Sequence, residues 1–303
     1  MHTQHDVIVV GGSFAGLSAA MQLARARRKV LVVDAGFPRN RFASHAHGFF
    51  GQDGKPPAEI IREAALQLAA YPTVQWVKGK AVGARRTDNA FSVALSDGRT
   101  ELASRLILAT GVRDELPSIP GLQERWGTTA LHCPYCHGYE VRDRRLGVLG
   151  NHALSVHQAL LIPEWGPTTY FTQGIFEPDA EQIAQLAARN VRIERSPVTE
   201  LLGPAPQLEG LRLADGRVVG IDALFVAPRT YMNSTLAEQL GCAFDDGPLG
   251  AVIKVDDLKQ TTVEGVYAAG DIANKMTNAT FASAAGVMAG VGVHHSLAMP
   301  KHD

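Results

Sequence analysis

The chain has 303 residues, enough for two domains, with 46% hydrophobic and 19% charged residues, as in an ordinary globular protein. Its 29 basic and 30 acidic side chains give a net charge of −1, which argues against a nucleic-acid partner or a membrane surface, and no apolar stretch is long enough to span a bilayer. The polar start lacks the apolar core of a signal peptide, and three cysteines do not make a disulfide scaffold, so a cytoplasmic location is expected.

The first predicted elements form a βαβ unit. DVIVV (residues 6–10) predicts a buried parallel strand, GGSFAG a turn into a helix, and VLVVDAG a second strand. Ser13 stands where the G-x-G-x-x-G pattern has its second glycine, but the helix N-terminus still offers amides to a pyrophosphate. An acidic residue after the second strand can grip ribose hydroxyls. The predicted nucleotide-binding residues here are Gly11, Gly12, Ser13, Phe14, Ala15, Gly16 and Asp34.

Two later strand ends add to this predicted site. After a long loop over residues 37–57, a helix and several strands lead to RLILATG, and a further strand near the end of the chain reads GVYAAGDIAN. Both strands finish in small residues, which let a flat cofactor or its phosphates approach the backbone. The additional binding residues predicted are Ala109, Thr110, Gly111, Gly270 and Asp271.

A pair of cysteines lies in LHCPYCHGYE, residues 131–140. Zinc would need two more ligands, and one short segment could not easily fold Cys133, Cys136 and the adjoining histidines around one ion, so no metal is expected. Inert packing stays open as a second alternative. A redox disulfide is favoured, because Cys-x-x-Cys closes a disulfide locally and a neighbouring histidine can stabilise a thiolate.

A second strand–turn–helix–strand pattern follows in RLGVLGNHALSVHQALLI and PTTYFTQG. Its turn, residues 150–155, contains a single glycine, and His152 and Leu154 would crowd a pyrophosphate. The second strand is followed by neither an arginine for a 2′-phosphate nor an acid for a ribose. The sequence therefore predicts a second dinucleotide-type domain that has lost its nicotinamide site, and NADPH is a doubtful cofactor.

These pieces, in this order, resemble the two-dinucleotide-binding-domain flavoproteins over nearly the whole chain, and the CPYC motif resembles the thioredoxin reductase branch. The resemblance implies an α/β fold with two Rossmann-like, three-layer domains, the second inserted into the first. The FAD domain would cover residues 1–116 and 243–303, and residues 117–242 would form the domain that carries CPYC. FAD would meet Asp271 at its ribityl chain and the last helix near Ser283. Residues 279–281 depart from the Arg-Gln-Ala of the reductases.

The resemblance also implies roles for the cysteine segment. Cys136 would face the flavin and Cys133 would exchange with substrate. His137 stands where the reductases have an acid/base aspartate, and histidine can accept and return a thiol proton near neutral pH; a capping or packing role is its alternative. The relatives are homodimers, so a homodimer is expected.

Several activities remain compatible with this sequence. The CPYCHG form is similar to that of the gliotoxin-type dithiol oxidases, which pass electrons from a dithiol through FAD to oxygen, and this is the favoured function. The alternatives are an NADPH- or NADH-dependent thioredoxin reductase, a reductase fed by another donor such as ferredoxin, and a flavoprotein redox sensor without turnover. The substrate would be a small dithiol or disulfide, or a thioredoxin-like protein. His45 and His47 could line the flavin or the substrate, although a solvated position is favoured.

Overall fold

The computed structural model describes residues 5–88 and 90–299. The chain divides into two compact units. Unit 1 holds the described residues up to Arg41, together with Ala58–Arg113 and those from Thr230 onwards. Unit 2 holds Phe42–Pro57 and Asp114–Arg229. Each unit contains a mainly parallel sheet with helices, which confirms the predicted α/β class.

Regular elements follow one another closely along the chain. The strands are β1 (His5–Val10), β2 (Val30–Asp34), β3 (Val74–Lys78), β4 (Ala81–Arg86), β5 (Phe91–Leu95), β6 (Thr100–Leu108), β7 (Val112–Glu115), β8 (Ala130–Leu131), β9 (Leu146–Leu149), β10 (Thr168–Phe171), β11 (Arg192–Glu194), β12 (Val198–Leu202), β13 (Gly210–Leu213), β14 (Val218–Val219), β15 (Ala223–Val226), β16 (Arg229–Met232), β17 (Phe244–Asp246), β18 (Ala251–Ile253) and β19 (Val266–Ala268). The helices are α1 (Phe14–Arg25), α2 (Pro57–Ala69), α3 (Pro134–His137), α4 (Ser155–Leu161), α5 (Ala180–Ala188), α6 (Leu236–Leu240) and α7 (Ala279–Ala298), with short 3-10 turns at Arg39–Phe42, Gln123–Arg125 and Ile162–Glu164.

The main sheet of unit 1 has the order β3-β2-β1-β6-β5-β4. Strands β3, β2, β1 and β6 run parallel, while β5 and β4 continue the sheet in antiparallel fashion. The last residues of β6 also pair in parallel with β19. The chain leaves β1 toward β2 on one side, while β6 lies on the other, so the order reverses between β1 and β6. In open α/β sheets, ligands bind outside the strand ends at such a switch point.

Helices α1 and α7 pack backbone against backbone in unit 1. A Cβ added to Gly286 would lie 2.1 Å from the carbonyl oxygen of Ala15, and one added to Gly290 would lie 2.8 Å from that of Ala19. Larger side chains would separate the helices, which explains the run of small residues in α7. The long C-terminal helix thus fixes the start of α1, where the predicted nucleotide turn lies.

The main sheet of unit 2 is parallel, with the order β11-β10-β9-β15-β8. The predicted β9-α4-β10 crossover is present. Tyr170, Phe171 and Phe225 are completely buried in its core, and a small antiparallel sheet of β12, β13 and β14 completes the unit. The order reverses between β9 and β15, so unit 2 has a switch point of its own. Strand β8 ends two residues before Cys133.

The units differ from the predicted domain boundaries in two ways. Unit 2 ends at Arg229 instead of residue 242. The reason is that α6 belongs to unit 1, where the Gln239 side chain accepts a hydrogen bond from the backbone of Ala84 at 2.9 Å. Unit 2 also includes Phe42–Pro57, which the sequence placed in the FAD domain.

Cys242 lies apart from the cysteine pair, in a core cluster of unit 1. It is a free cysteine and is buried. Burial raises the pKa of its thiol above the ordinary value, so the group stays neutral and unreactive. Among the described residues, the helices are all too short or too polar to cross a membrane.

Candidate active site

The glycine turn of unit 1 packs without spare room. Gly11 has a φ of 108°, and a Cβ there would lie 2.2 Å from the carbonyl oxygen of Ala109. A Cβ on Gly16 would lie 1.7 Å from the carbonyl oxygen of Gly11. Only glycine fits either position, so the turn is tight and the first turn of α1 packs directly against the end of β1. The fold thereby brings together the Gly11 turn and Ala109, which are almost 100 residues apart in sequence.

The start of α1 suits an anion. Ser13 is the N-cap, but its side chain makes no capping hydrogen bond, and the first turn contains no acidic residue. The backbone N–H of Gly12 donates to the Asp34 carboxylate at 2.9 Å, which holds that carboxylate beside the turn. The indole of Trp76 closes over Gly12, where an added Cβ would approach it to 2.4 Å. Trp76 could not be predicted from the sequence, because it lies in a strand that carries no motif.

The end of β19 meets the same region. Gly270 has a φ of 83°, and a Cβ there would lie 2.9 Å from the Cβ of Ala15. The next residue, Asp271, forms an ion pair with Arg39 at 2.9 Å, and Arg39 also donates to the hydroxyl of Thr277 at 3.2 Å. Sequence reasoning missed Arg39, which lies in a segment treated as plain loop and 232 positions from its carboxylate partner.

The other predicted positions of unit 1 lie at the end of β6 and in helix α7. The carbonyl oxygen of Thr110 accepts from the Asn233 side chain at 3.1 Å, and that of Gly111 from the Asn233 backbone at 3.2 Å, so the end of β6 is fixed. Helix α7 begins at Ala279 and is capped by Asn278, whose side chain accepts from the Phe281 N–H at 2.7 Å. Ser283 therefore lies in the second turn of α7, past the amides of the helix start.

Taken together, the unit 1 residues fit FAD. Gly11 and Gly16 permit a close backbone approach, and the uncharged first turn of α1 can face a pyrophosphate. The Asp34 carboxylate, held beside the turn, can accept from hydroxyls of a ribose, and Asp271, just after β19, offers a second carboxylate at the end of another strand of the same sheet.

In unit 2 the two cysteines form a disulfide, with Cα atoms 5.3 Å apart. Cys133 caps the single-turn helix α3, and Pro134 occupies the first helical position, where proline is well tolerated. The backbone N–H of Cys136 donates to the Cys133 sulfur at 3.2 Å. This donor stabilises negative charge on the Cys133 sulfur once the disulfide is opened.

Tight packing fixes the turn after the disulfide. A Cβ on Gly138 would lie 2.6 Å from the Pro134 carbonyl oxygen and 2.7 Å from the Trp165 ring. The Trp165 ring meets Tyr135 edge-on, with centroids 5.8 Å apart. Tyr135 itself, between the two cysteines, is 74% exposed. The cysteine motif is therefore fixed by packing against Trp165, while Tyr135 faces solvent.

His132 serves as an anchor in this segment. Its Nδ1 lies 3.3 Å from the Val226 carbonyl oxygen, and its own carbonyl oxygen accepts from the Gln158 side chain at 2.9 Å. Within the described part of the chain, no three or more His, Cys, Asp or Glu side chains are grouped to hold a metal ion. The cysteines are thus engaged with each other in the arrangement that the sequence favoured.

His137 directly follows the disulfide at the end of α3. Burial lowers its pKa below the ordinary 6.5; Glu140 acts in the opposite direction, and His47 adds to the lowering. A lowered pKa leaves the imidazole neutral at pH 7, so it can accept a proton from a thiol. This electrostatic environment fits the acid/base role expected for His137.

The switch point of unit 2 is closed by its own side chains. The Ser155 hydroxyl accepts from the backbone N–H groups of Asn151 at 3.3 Å and His152 at 3.2 Å. The His152 ring accepts from the Leu154 N–H at 3.1 Å. The Asn151 side chain crosses from β9 to the end of β15, donating to the Ala227 carbonyl oxygen at 2.8 Å. Amides that would face a pyrophosphate in a dinucleotide site already have partners here.

Comparisons with known proteins agree with this architecture. The family described as Pyridine nucleotide-disulphide oxidoreductase matches residues 5–286. A curated relative, thioredoxin reductase tcpT of Claviceps purpurea, is 33% identical over 94% of this chain and 92% of its own length. Another, thioredoxin reductase sirT of Leptosphaeria maculans, is 31% identical over 95% of this chain and 93% of its own.

Solved structures give the same result. An oxidoreductase from Agrobacterium tumefaciens superposes with a TM-score of 0.94 at 50% identity, covering 99% of this chain and all of the other. The crystal structure of HlmI superposes with a TM-score of 0.91 at 36% identity, covering 98% and 94% of the two chains.

Proposed function

We propose that this chain oxidises dithiols, with oxygen as the final electron acceptor. It belongs to the pyridine nucleotide-disulphide oxidoreductase family and is a thioredoxin reductase-like FAD-dependent disulfide oxidoreductase. The observation that supports this direction is the closed switch point of unit 2, where Ser155 and Asn151 occupy the groups that a nicotinamide dinucleotide would need. Electrons would then enter from the thiol side.

The thiol chemistry takes place at the Cys133–Cys136 disulfide. One substrate thiolate attacks the Cys133 sulfur, the S–S bond breaks, and its electron pair stays on Cys136. The second substrate thiolate attacks the substrate sulfur in the mixed disulfide and releases Cys133 as a thiolate, stabilised by the Cys136 N–H. The substrate leaves as a disulfide, and two electrons remain on the enzyme pair.

His137 transfers a proton during this reaction. Its lowered pKa keeps the ring neutral, so it can take the proton from an attacking thiol and return it later. FAD, if held in unit 1 by the Gly11–Gly16 turn, Asp34 and Asp271, would supply a two-electron acceptor for the reduced pair, with oxygen as the final acceptor and hydrogen peroxide as the product. By the family resemblance, Cys136 would be the sulfur that faces the flavin.

An NADPH-dependent thioredoxin reductase is the second candidate, and the names of the curated relatives favour it. One anaerobic titration separates the two. The purified protein is mixed with NADPH, then NADH, then dithiothreitol, and the flavin absorbance near 450 nm is followed. We expect bleaching by the dithiol and little by either nucleotide, with hydrogen peroxide formed on admitting air. Rapid bleaching by micromolar NADPH would reverse the assignment.

A further inference from the structure

A loop of defined shape stands beside the disulfide segment of unit 2. This 42–57 loop is closed by an antiparallel bridge, in which the N–H of Ala46 donates to the Lys55 carbonyl oxygen at 2.9 Å. The N–H of Gly54 returns to the Ala46 carbonyl oxygen at the same distance. The bridge fixes the backbone on either side of His47, so the position of that side chain is set by the loop.

His47 lies between two carboxylates. Its Nδ1 is 3.5 Å from Asp53, and its Nε2 is 3.5 Å from Glu140. Asp53 is itself held by the Gly48 N–H at 2.8 Å. The Asp53 contact therefore orients the ring so that its other nitrogen faces Glu140, while the His47 side chain stays only 22% exposed.

Glu140 connects this pair to His137. The chain turns after α3, and the N–H of Glu140 donates to the His137 carbonyl oxygen at 3.2 Å. The charged groups that act on His137 are Glu140, from its own turn, and His47, from the 42–57 loop; the first raises the pKa of His137 and the second lowers it. Asp53 lies beyond His47 and is largely exposed.

We propose that His47 is a positioning residue of the thiol reaction, which holds the Glu140 carboxylate and so keeps His137 neutral and ready to accept the thiol proton. The proposal rests on the proposed function of His137. Without His47, the attraction of Glu140 for a proton on His137 would be unopposed by the loop, so the pKa of His137 would rise, although burial would still lower it. The proton in question leaves the substrate thiol, whose sulfur keeps the electron pair and bonds to Cys133 as the disulfide opens.

Two variants test the idea, because they should act in opposite directions. His47→Gln keeps an amide that can donate to Glu140 but removes the imidazole that lowers the pKa of His137, so the titration of His137 should move to higher pH. Glu140→Gln removes the attracting carboxylate, so it should move to lower pH. The titration is read from the ring resonances of His137 by NMR on the full chain, and each spectrum is assigned with His137→Ala.

The same variants are followed by stopped-flow reduction with dithiothreitol across pH. The acidic limb of the rate should move up in pH for His47→Gln and down for Glu140→Gln. His47→Lys, which places an ammonium group opposite Glu140, should give a profile close to that of the wild type. His157→Gln, an exposed histidine on α4 in the same unit, is the matched control and should change neither readout.

The outcomes are separable. If His47→Gln leaves the His137 titration unchanged or moves it to lower pH, the positioning role of His47 is wrong. His47→Lys decides the matter in the same way if His47→Gln does not fold, because it should leave the titration near that of the wild type. If dithiothreitol fails to reduce the wild-type protein, the proposed dithiol activity fails, while the NMR titration still tests the effect of the His47–Glu140 pair on His137.

Discussion

Both units place a strand–loop–helix corner at the switch point of a parallel sheet, yet the two loops use their hydrogen-bonding groups differently. In unit 1 the cap residue Ser13 makes no side-chain bond to the helix start. In unit 2 the Ser155 hydroxyl and the Asn151 amide bind the loop to itself and to the next strand. Two similar corners therefore differ in how many of their polar groups are already paired, and a shared fold does not by itself give them the same ligand.

We propose that unit 1 binds the cofactor and unit 2 carries the thiol chemistry, and variants of the two cysteines should show the largest effects. Cys136→Ser should leave FAD bound but abolish dithiol-dependent flavin reduction, since by the family resemblance this sulfur faces the flavin. Cys133→Ser should also stop exchange with substrate but keep a thiolate at Cys136, visible as a long-wavelength charge-transfer band. Absorbance spectra and stopped-flow reduction measure both.

Full dithiol-dependent reduction in both single mutants would contradict a redox role for the pair. Loss of FAD from the Cys136→Ser protein would contradict cofactor binding by unit 1 alone, because the disulfide segment of unit 2 would then be needed to bind it.

His137→Ala should have the next largest effect, slowing dithiol oxidation by about 10²–10⁴-fold, the usual range for loss of a general acid–base group. In the wild type, the rate should fall as the pH drops through the pKa of His137, which burial places below 6.5, because the ring then becomes protonated and cannot accept a proton. The variant should lack this acidic limb. Rate profiles between pH 5 and 8 check the prediction, and an unchanged limb would assign it to another group.

The smallest effects come from the two cap serines, which should respond in opposite ways. Ser155→Ala removes a buried acceptor shared by two backbone N–H groups, so the free energy of unfolding should fall by about 2 kcal/mol, with FAD content unchanged. Ser13→Ala removes no capping bond, so stability should change by less than about 0.5 kcal/mol. Its FAD affinity should weaken by about fivefold if the hydroxyl donates to the cofactor.

Urea denaturation and FAD titration of the apoprotein distinguish the two serines. Equal stability losses in both variants would mean that the two corners are built alike, and the comparison between the units would fail.

Much of the fold could be predicted from local sequence patterns. The β-branched runs of β1 and β2, the glycine turn and the terminal Gly270-Asp271 pair all act over short stretches, and each predicted its element. For the second switch point, the sequence indicated crowding by His152 and Leu154 and no arginine or acid after the second strand, and the structure adds backbone amides that are already hydrogen-bonded. The loss of the nicotinamide site stays a prediction. Side-chain bonds such as that of Ser155 depend on rotamers that spacing does not reveal.

Contacts between distant segments were not predictable. His47 meets Glu140 across 93 positions, and Arg39 meets Asp271 across 232. Neither pair belongs to a periodic pattern or a motif, and the 42–57 loop joins unit 2 even though its neighbours on both sides belong to unit 1. Sequence reasoning can place such a residue on a loop but not identify what the loop packs against.

The backbone contact between α1 and α7 has a consequence for biosynthesis. Strand β19 and helix α7 complete unit 1, yet they follow the whole of Asp114–Arg229 in the chain. During translation the central segment emerges with the strands of its own sheet. At that point unit 1 still lacks β19 and α7, the helix that packs against α1. With FAD bound in unit 1 as proposed, we expect cofactor binding only after the C-terminal helix has emerged, and apoprotein truncated before Ala279 should remain colourless however long it is incubated with flavin.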